Sequence, residues 1–306
     1  MSNKVVFFLS TDKYSSPFDI LILYDGGADV VVPCNNVSLE DTGSLVMDAM
    51  FPRGPKGIRD TTVFIGGKDI VKCEEILKLV KKTMFPPFEI AVAFDPAGSC
   101  TTSAALVAKV AQMTKVKLNS ALSELKVVVL AGAGNVGSRA VHLFAKEGAS
   151  VVIADVAVDL ANKVAKKVNE NIGADRVKVA SLRGSDFVVH DLRVKDVVYS
   201  ACEDADIVVS TGPPKVTTLT KDILSKFSKC KIVADINAVS PEGIEGIKAT
   251  ADGDEILPGI ISIGPLSIGN VKLQTELKLV KEAINSKNGI FGYEEAFNFA
   301  KEIVGL

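Results

Sequence analysis

Tryptophan is absent from this chain, and histidine occurs only twice, as His142 and His190. Neither histidine stands near a cysteine or an acidic ladder, so there is no Ser-His-Asp triad and no HxxxH metal pattern, and both read as structural or exposed. The five cysteines, Cys34, Cys73, Cys100, Cys202 and Cys230, are an odd number without CxxC spacing. That suggests neither a disulfide framework nor a zinc site, and most of them read as ordinary buried or half-buried thiols. P-loop, EF-hand and paired-carboxylate hydrolase patterns are missing too, and no metal is expected. No apolar run reaches the roughly 18 to 20 residues of a membrane span. The opening MSNKVVFFLSTDKYSS lacks a long apolar region ahead of a cleavage site, so the expectation is a cytoplasmic protein without membrane contact. The formal net charge is −2 and no segment carries a basic stripe, which argues against nucleic acid as a partner.

What the chain does have is glycine, 24 residues of it, with 47% hydrophobic and 24% charged residues. This balance suits a nucleotide-binding α/β protein, and 306 residues are enough for two packed domains. Strand-like runs alternate with helical ones throughout, the pattern of parallel α/β layers. The first domain reads as strands at Lys4–Ser10, Val30–Pro33, Thr61–Gly66 and Phe88–Phe94. The second reads as strands at Leu125–Leu130, Ser150–Ala154, Val177–Ala180, Asp206–Ser210 and Lys231–Asp235, a doubly wound Rossmann-type fold. The expected division is a smaller α/β substrate domain over residues 1–113, completed by C-terminal helices at 267–306, and a dinucleotide-binding domain over 114–266, with a cleft between them.

The most informative stretch begins at Leu125. An apolar strand runs into Gly132-Ala133-Gly134-Asn135-Val136-Gly137, and an amphipathic helical pattern follows without a break. Gly132 allows the tight turn, Gly134 lets the backbone approach a pyrophosphate, and Gly137 lets the helix pack close on the strand. The first amides of that helix favour negative charge. A purely structural glycine turn is the alternative. Asp155 closes the next strand, where a carboxylate accepts hydrogen bonds from ribose hydroxyls and repels a 2′-phosphate, favouring NAD over NADP. It could equally cap the following helix. Val156-Ala157-Val158-Asp159 offers no cation, although Lys163 lies one helical turn on.

Elsewhere, Ser16-Pro17-Phe18-Asp19 places an acid in the first turn of a helix, as ligand group or as helix-dipole partner. Asp95 to Ser103 sits at the carboxyl end of a strand and offers hydroxyls and free amides, or an ordinary N-cap. Gly264–Lys272 reads as a glycine turn with Lys272 at a helix start. A cation is disfavoured there, which hints at function, although an exposed lysine is the plainer reading. No general base is evident. Oxidising an alcohol requires one, whereas hydride loss from a carbon flanked by nitrogens does not.

Taken with Ile65-Gly66-Gly67-Lys68, Pro86-Pro87-Phe88, Asp235-Ile236-Asn237-Ala238 and Ile268-Gly269-Asn270-Val271-Lys272, these stretches resemble the NAD(P)-dependent methylene-tetrahydromethanopterin dehydrogenases of one-carbon metabolism. The resemblance spans nearly the whole chain. It implies hydride transfer from the methylene carbon of the reduced pterin to NAD, with NADP possible, giving the methenyl form. It implies catalytic roles for Lys272 and Asp19, which orient the pterin and set the local field. Phe18, Asp95, Ser99, Thr102, Asn237 and Asn270 would contact substrate, and Gly132, Gly134, Asn135, Val136, Gly137, Asp155, Thr211 and Asn237 would hold the cofactor. A homo-oligomer is expected. The competing readings are a methylene-tetrahydrofolate dehydrogenase with cyclohydrolase activity and a non-enzymatic NAD sensor. Polar, glycine-rich strand edges argue against the sensor, which needs an apolar partner surface.

Overall fold

The computed structural model describes residues 3–183 and 192–306, with side chains for all of these but 192–195. His190 therefore lies outside the described residues. In chain order the elements are β1 Val5–Ser10, α1 Pro17–Asp25, β2 Val30–Cys34, α2 Leu39–Met50, α3 Gly54–Gly57, β3 Thr61–Gly66, α4 Ile70–Thr83, β4 Ala91–Phe94 and α5 Ser99–Leu118. Then follow β5 Lys126–Leu130, α6 Asn135–Lys146, β6 Ser150–Asp155, α7 Val158–Ile172, β7 Val177–Ser181, α8 Leu192–Cys202, β8 Ile207–Ser210, α9 Lys221–Leu224 and β9 Ile232–Asp235. The chain closes with β10 Asp252–Leu257, β11 Ile260–Ile263, α10 Pro265–Asn285, β12 Gly289–Phe291 and α11 Tyr293–Ile303.

Two compact units result, one of residues Met1–Thr101 with Leu273–Phe299, the other of Thr102–Lys272 with Ala300–Leu306. Their boundaries fall inside α5, α10 and α11, where the sequence suggests changes near 113 and 267 and all of 267–306 in the first domain. Each unit has its own parallel sheet. The first is five-stranded in the order β12-β4-β3-β1-β2, with every pairing parallel. The second is seven-stranded, β10-β11-β9-β8-β5-β6-β7, parallel except for the β10–β11 edge hairpin.

Central strands of such sheets are covered on both faces and read as largely apolar runs. Thr61–Gly66, Ala91–Phe94, Ile207–Ser210 and Ile232–Asp235 are accordingly buried at every position. In the first unit Leu9, Val63, Ile65 and Val92 pack with Val46, Met50, Ile76 and Val80 of the helices, while Phe8 meets Phe64 edge-on at 4.9 Å between ring centroids. In the second, Val128, Leu130, Val208 and Val233 pack with Ile223, Leu224 and Phe227.

Two strand features lay beyond the sequence reading. Leu257-Pro258-Gly259-Ile260 turns β10 into β11, with Gly259 at φ 78°. β12 is only three residues long, and it adds to β4 through Gly289↔Ala91 and Phe291↔Ala93.

The start of α5 shows how these loops are fixed. Asp95 is 1% exposed, and its carboxylate accepts from Cys100 N at 2.8 Å, Thr101 N at 3.2 Å and Thr101 Oγ1 at 2.6 Å. Ala97 and Gly98 take φ of 51° and 65° to bring the chain round. Removing the acceptor strands three buried donors, so Asp95→Ala should lower unfolding free energy by about 3 kcal/mol. Urea unfolding followed by circular dichroism checks this, and a loss below about 1 kcal/mol would mean that water replaces the carboxylate.

Candidate functional site

In the second unit, β7-β6-β5 and β8-β9-β11 run outward in opposite directions from the β5/β8 pair, so the strand order reverses between β5 and β8. Open α/β sheets bind ligands in the crevice beyond the carboxyl ends of such strands. At this point Ala131 adopts φ 55°, and its carbonyl accepts from Gly134 N at 3.3 Å. Thr211, following β8, reaches the carbonyls of Leu130 at 3.0 Å and Ala131 at 3.1 Å with its hydroxyl. Its side chain therefore ties the two strand ends together.

The glycines of the turn differ in what they make room for. A Cβ on Gly137 would stand 2.7 Å from Gly132 Cα and from Thr211 Oγ1, and one on Gly132 would stand 2.9 Å from Val129 O. Both positions are closed by the protein itself. On Gly134 the nearest atom to an added Cβ is Ala131 O, at an ordinary 3.5 Å, and Gly134 and Asn135 are exposed. The missing side chain at Gly134 thus leaves space on the solvent side, at the first turn of α6, where free amides and the helix macrodipole favour a phosphate. The residues present fit a dinucleotide.

Asp155 is 6% exposed. Its Oδ2 accepts from Ala133 N at 2.9 Å and its Oδ1 from Ala157 N at 2.8 Å, so it pins the glycine turn as well as the chain entering α7. Each oxygen keeps a further lone pair. At the end of β9, Asp235 is fully buried and accepts from Asn237 N and Ile244 N, both at 3.0 Å. Burial pushes its carboxyl above the usual range. Asn237 donates to Pro241 O at 3.1 Å and accepts from Val239 N at 3.0 Å, bracing its own loop.

The first unit has a reversal of its own, between β1 and β3. The loops leaving these strands are laced together. Thr11 N donates to Gly66 O at 3.2 Å, Lys68 N to Asp12 Oδ1 at 3.0 Å, and Asp12 N to Ser10 Oγ at 3.1 Å. Gly67, at φ 121°, faces Thr11 so closely that no Cβ fits. The same loop leads to α1, where Ser16 caps by accepting from Asp19 N at 3.3 Å and Pro17 opens the helix. Asp19 is half-buried in the first turn, and Phe18 is 47% exposed. Asp95 and Ser99 are both 1% exposed, Ser99 donating to Pro96 O at 2.7 Å. Asp12 and Lys68 were not singled out as site residues, although Ile65-Gly66-Gly67-Lys68 was visible; strand order is what brings them to this edge.

Lys272 requires a correction. It does not begin a helix: α10 starts at Pro265, and Lys272 lies about two turns inside it. Proline suits a first turn. Gly269 forms no turn and sits within the helix, with open space where its Cβ would be. The conflict between a cation and a helix N-terminus therefore disappears. Lys272 is half-buried, Asn270 exposed and Thr102 half-buried. The start of α10 is anchored by Ser267, which donates to Asp252 Oδ1 at 2.8 Å. Asp252 also pairs with the buried Lys109 at 2.5 Å. Burial alone would raise the Asp252 carboxyl, yet the hydrogen bonds from Lys109 and Ser267 bring it below its usual range. Among the described residues no group of three His, Cys, Asp or Glu side chains is placed to hold a metal ion, and no helix is long and apolar enough to cross a membrane.

A Rossmann unit carrying an open phosphate turn, joined to a second parallel α/β unit, defines a dinucleotide-dependent oxidoreductase of two α/β domains. Solved structures share this fold. Quinate dehydrogenase from Corynebacterium glutamicum in complex with NAD matches 99% of both chains with a TM-score of 0.50 at 13% identity. The ligand-free 5-ketofructose reductase of Gluconobacter sp. strain CHM43 matches 99% of both chains with a TM-score of 0.53 at 12% identity. Residues 17–97 match the family described as methylene-tetrahydromethanopterin dehydrogenase, N-terminal, and residues 126–230 match the 3-hydroxyacyl-CoA dehydrogenase NAD binding domain. Two relatives come from Methylorubrum extorquens. The NAD(P)-dependent methylenetetrahydromethanopterin dehydrogenase is 33% identical over 100% of both chains. The bifunctional protein MdtA is 35% identical over 99% of this chain and 100% of its own length. The chain belongs to the NAD(P)-dependent methylenetetrahydromethanopterin dehydrogenase family.

The glycines give a paired prediction. Gly134→Val should leave the melting temperature within about 2 °C of the parent and abolish NAD binding measured by calorimetry. Gly137→Ala should lower the melting temperature by about 5 °C or more, because its Cβ collides with the protein. Unchanged NAD affinity in Gly134→Val would place the pyrophosphate elsewhere.

Proposed function

We propose that this chain oxidises methylene-tetrahydromethanopterin to the methenyl form by hydride transfer to NAD, with NADP as the poorer acceptor. The observation that carries this reading is the full-length kinship with an NAD(P)-dependent enzyme of that activity, in a chain whose phosphate turn leaves room at Gly134. The nicotinamide, when bound, supplies the hydride acceptor. Asn135 and Val136 hold the pyrophosphate through the first amides of α6, Gly134 leaves the space for it, Gly132 and Gly137 close the turn beneath, and Asp155 accepts from the adenosine ribose. Thr211 keeps the β5 and β8 ends in register beneath them. Asn237 keeps the loop after β9 in shape beside the cofactor.

On the pterin side, Phe18 offers an exposed ring for stacking, Asp19 a carboxylate for the pterin's N–H groups, and Asn270 and Lys272 polar groups from α10. Thr102 contacts substrate from the side of α5. Asp95 and Ser99 act through the turn that they hold, since both are buried. The methenyl cation is delocalised over its two flanking nitrogens, so no proton has to leave in the chemical step. Catalysis then rests on proximity and electrostatic preorganisation. Lys272 works by positioning.

Initial rates with methylene-tetrahydromethanopterin and methylene-tetrahydrofolate, each with NAD and NADP, test the assignment. The methanopterin substrate with NAD should give the highest kcat/KM; a higher value with the folate substrate would move the assignment to that carrier. Lys272→Ala should lower kcat/KM for the pterin about tenfold or more while NAD affinity stays within about twofold. A wild-type kcat governed by a single ionisation, lost in Lys272→Ala and restored by added amine, would instead make the lysine a general base.

A further inference from the structure

The ribose-reading carboxylate Asp155 stands at the end of β6, and the strand beside it ends at the same level. Asp155 pairs in register with Ser181, the last residue of β7, and Leu182 N donates to Asp155 O at 3.0 Å. Arg183 is the next residue. Its backbone N–H donates to Ser181 Oγ at 3.3 Å, which holds the base of the side chain at the β7 end. Its guanidinium Nη2 reaches across to Asp159 Oδ2 at 2.8 Å. Asp159 lies in the first turn of α7, the segment that follows Asp155. Arg183 thus spans the edge where the 2′-position of an adenosine bound by Asp155 would lie, and the sequence between Asp155 and Asp159 supplies no cation of its own.

We propose that Arg183 is the specificity-determining residue for NADP, exchanging its partner Asp159 for the 2′-phosphate. The inference rests on the dinucleotide reading given above and deepens it. Asp155 discourages a 2′-phosphate by charge, and without a compensating cation the chain would accept NAD alone. A guanidinium meets a phosphate with two parallel N–H donors. The ion pair that it must give up is exposed on both sides, 60% and 86%, and exposed pairs hold weakly. With NAD bound, Arg183 stays on Asp159 and contributes nothing; with NADP it turns to the ligand. Lys163, one turn further along α7 and exposed, is the competing cation on this edge.

Calorimetric titration with ADP-ribose and with its 2′-phosphate tests this without substrate, so a wrong pterin assignment leaves the readout intact. Arg183→Ala should weaken the 2′-phosphorylated ligand about tenfold or more and leave ADP-ribose within about twofold. Arg183→Lys should fall between, retaining charge without the fork. Asp159→Asn should tighten the 2′-phosphorylated ligand, and Lys163→Ala should change neither. The proposal is overturned if Arg183→Ala weakens both ligands equally or neither, if Lys163→Ala carries the effect, or if the parent does not bind the 2′-phosphorylated form. Failure of the parent to bind ADP-ribose itself would bring down the dinucleotide reading as well.

Discussion

A carboxylate buried at the carboxyl end of a strand has lost its water and must draw hydrogen bonds from the chain that leaves the sheet. Asp95, Asp155 and Asp235, exposed by 1%, 6% and 0%, each end or follow a parallel strand and each collect two backbone N–H groups. Those of Asp95 come from Cys100 and Thr101, those of Asp155 from Ala133 and Ala157, and those of Asp235 from Asn237 and Ile244. The carboxyl edges of both sheets are therefore shaped by the same interaction, and the loops arrive already bent. Preorganised edges of this kind matter most where a reaction has no proton transfer to assist it and depends on placing two carbons together.

The second constraint is space. At the β5–α6 turn, Gly132, Gly137, Ala131 O and Thr211 Oγ1 occupy one another's room so fully that side chains are excluded. Gly67 against Thr11 repeats this in the first unit. Beside this crowding, the side-chain position of Gly134 is left open, with only Ala131 O at 3.5 Å from an added Cβ.

How far these features could be read from sequence follows from how local they are. The glycine turn and Asp155 were legible because strand, turn, helix and acid succeed one another within a short stretch. Most strands were legible because parallel, doubly covered strands are apolar runs. The fate of Asp95 was not, because a capping aspartate and a ligand-binding one have the same spacing; only its depth of burial tells them apart. Lys272 was misplaced because Gly269 resembles a turn, whereas tertiary packing carries a helix through a single glycine at a cost of about 1 kcal/mol. The turn of the β10–β11 hairpin carries a local signal in its Pro258-Gly259 dipeptide. β12 and the pairing of Asp12 with Lys68 had none, since they depend on which strand lies beside which.

The five-stranded sheet takes its last strand from residues 289–291, beside β4 at residues 91–94, while every strand of the seven-stranded sheet lies at or before residue 263. On a ribosome the order of completion is thereby reversed relative to the order of synthesis. The first strands of the five-stranded sheet emerge early, yet the β4 edge stays bare, with unpaired backbone donors and acceptors, until residues 289–291 have emerged as well. Bare edges of apolar strands are the surfaces through which nascent chains pair wrongly. The three residues of β12, Gly289 to Phe291, are thus the ones that close that interval.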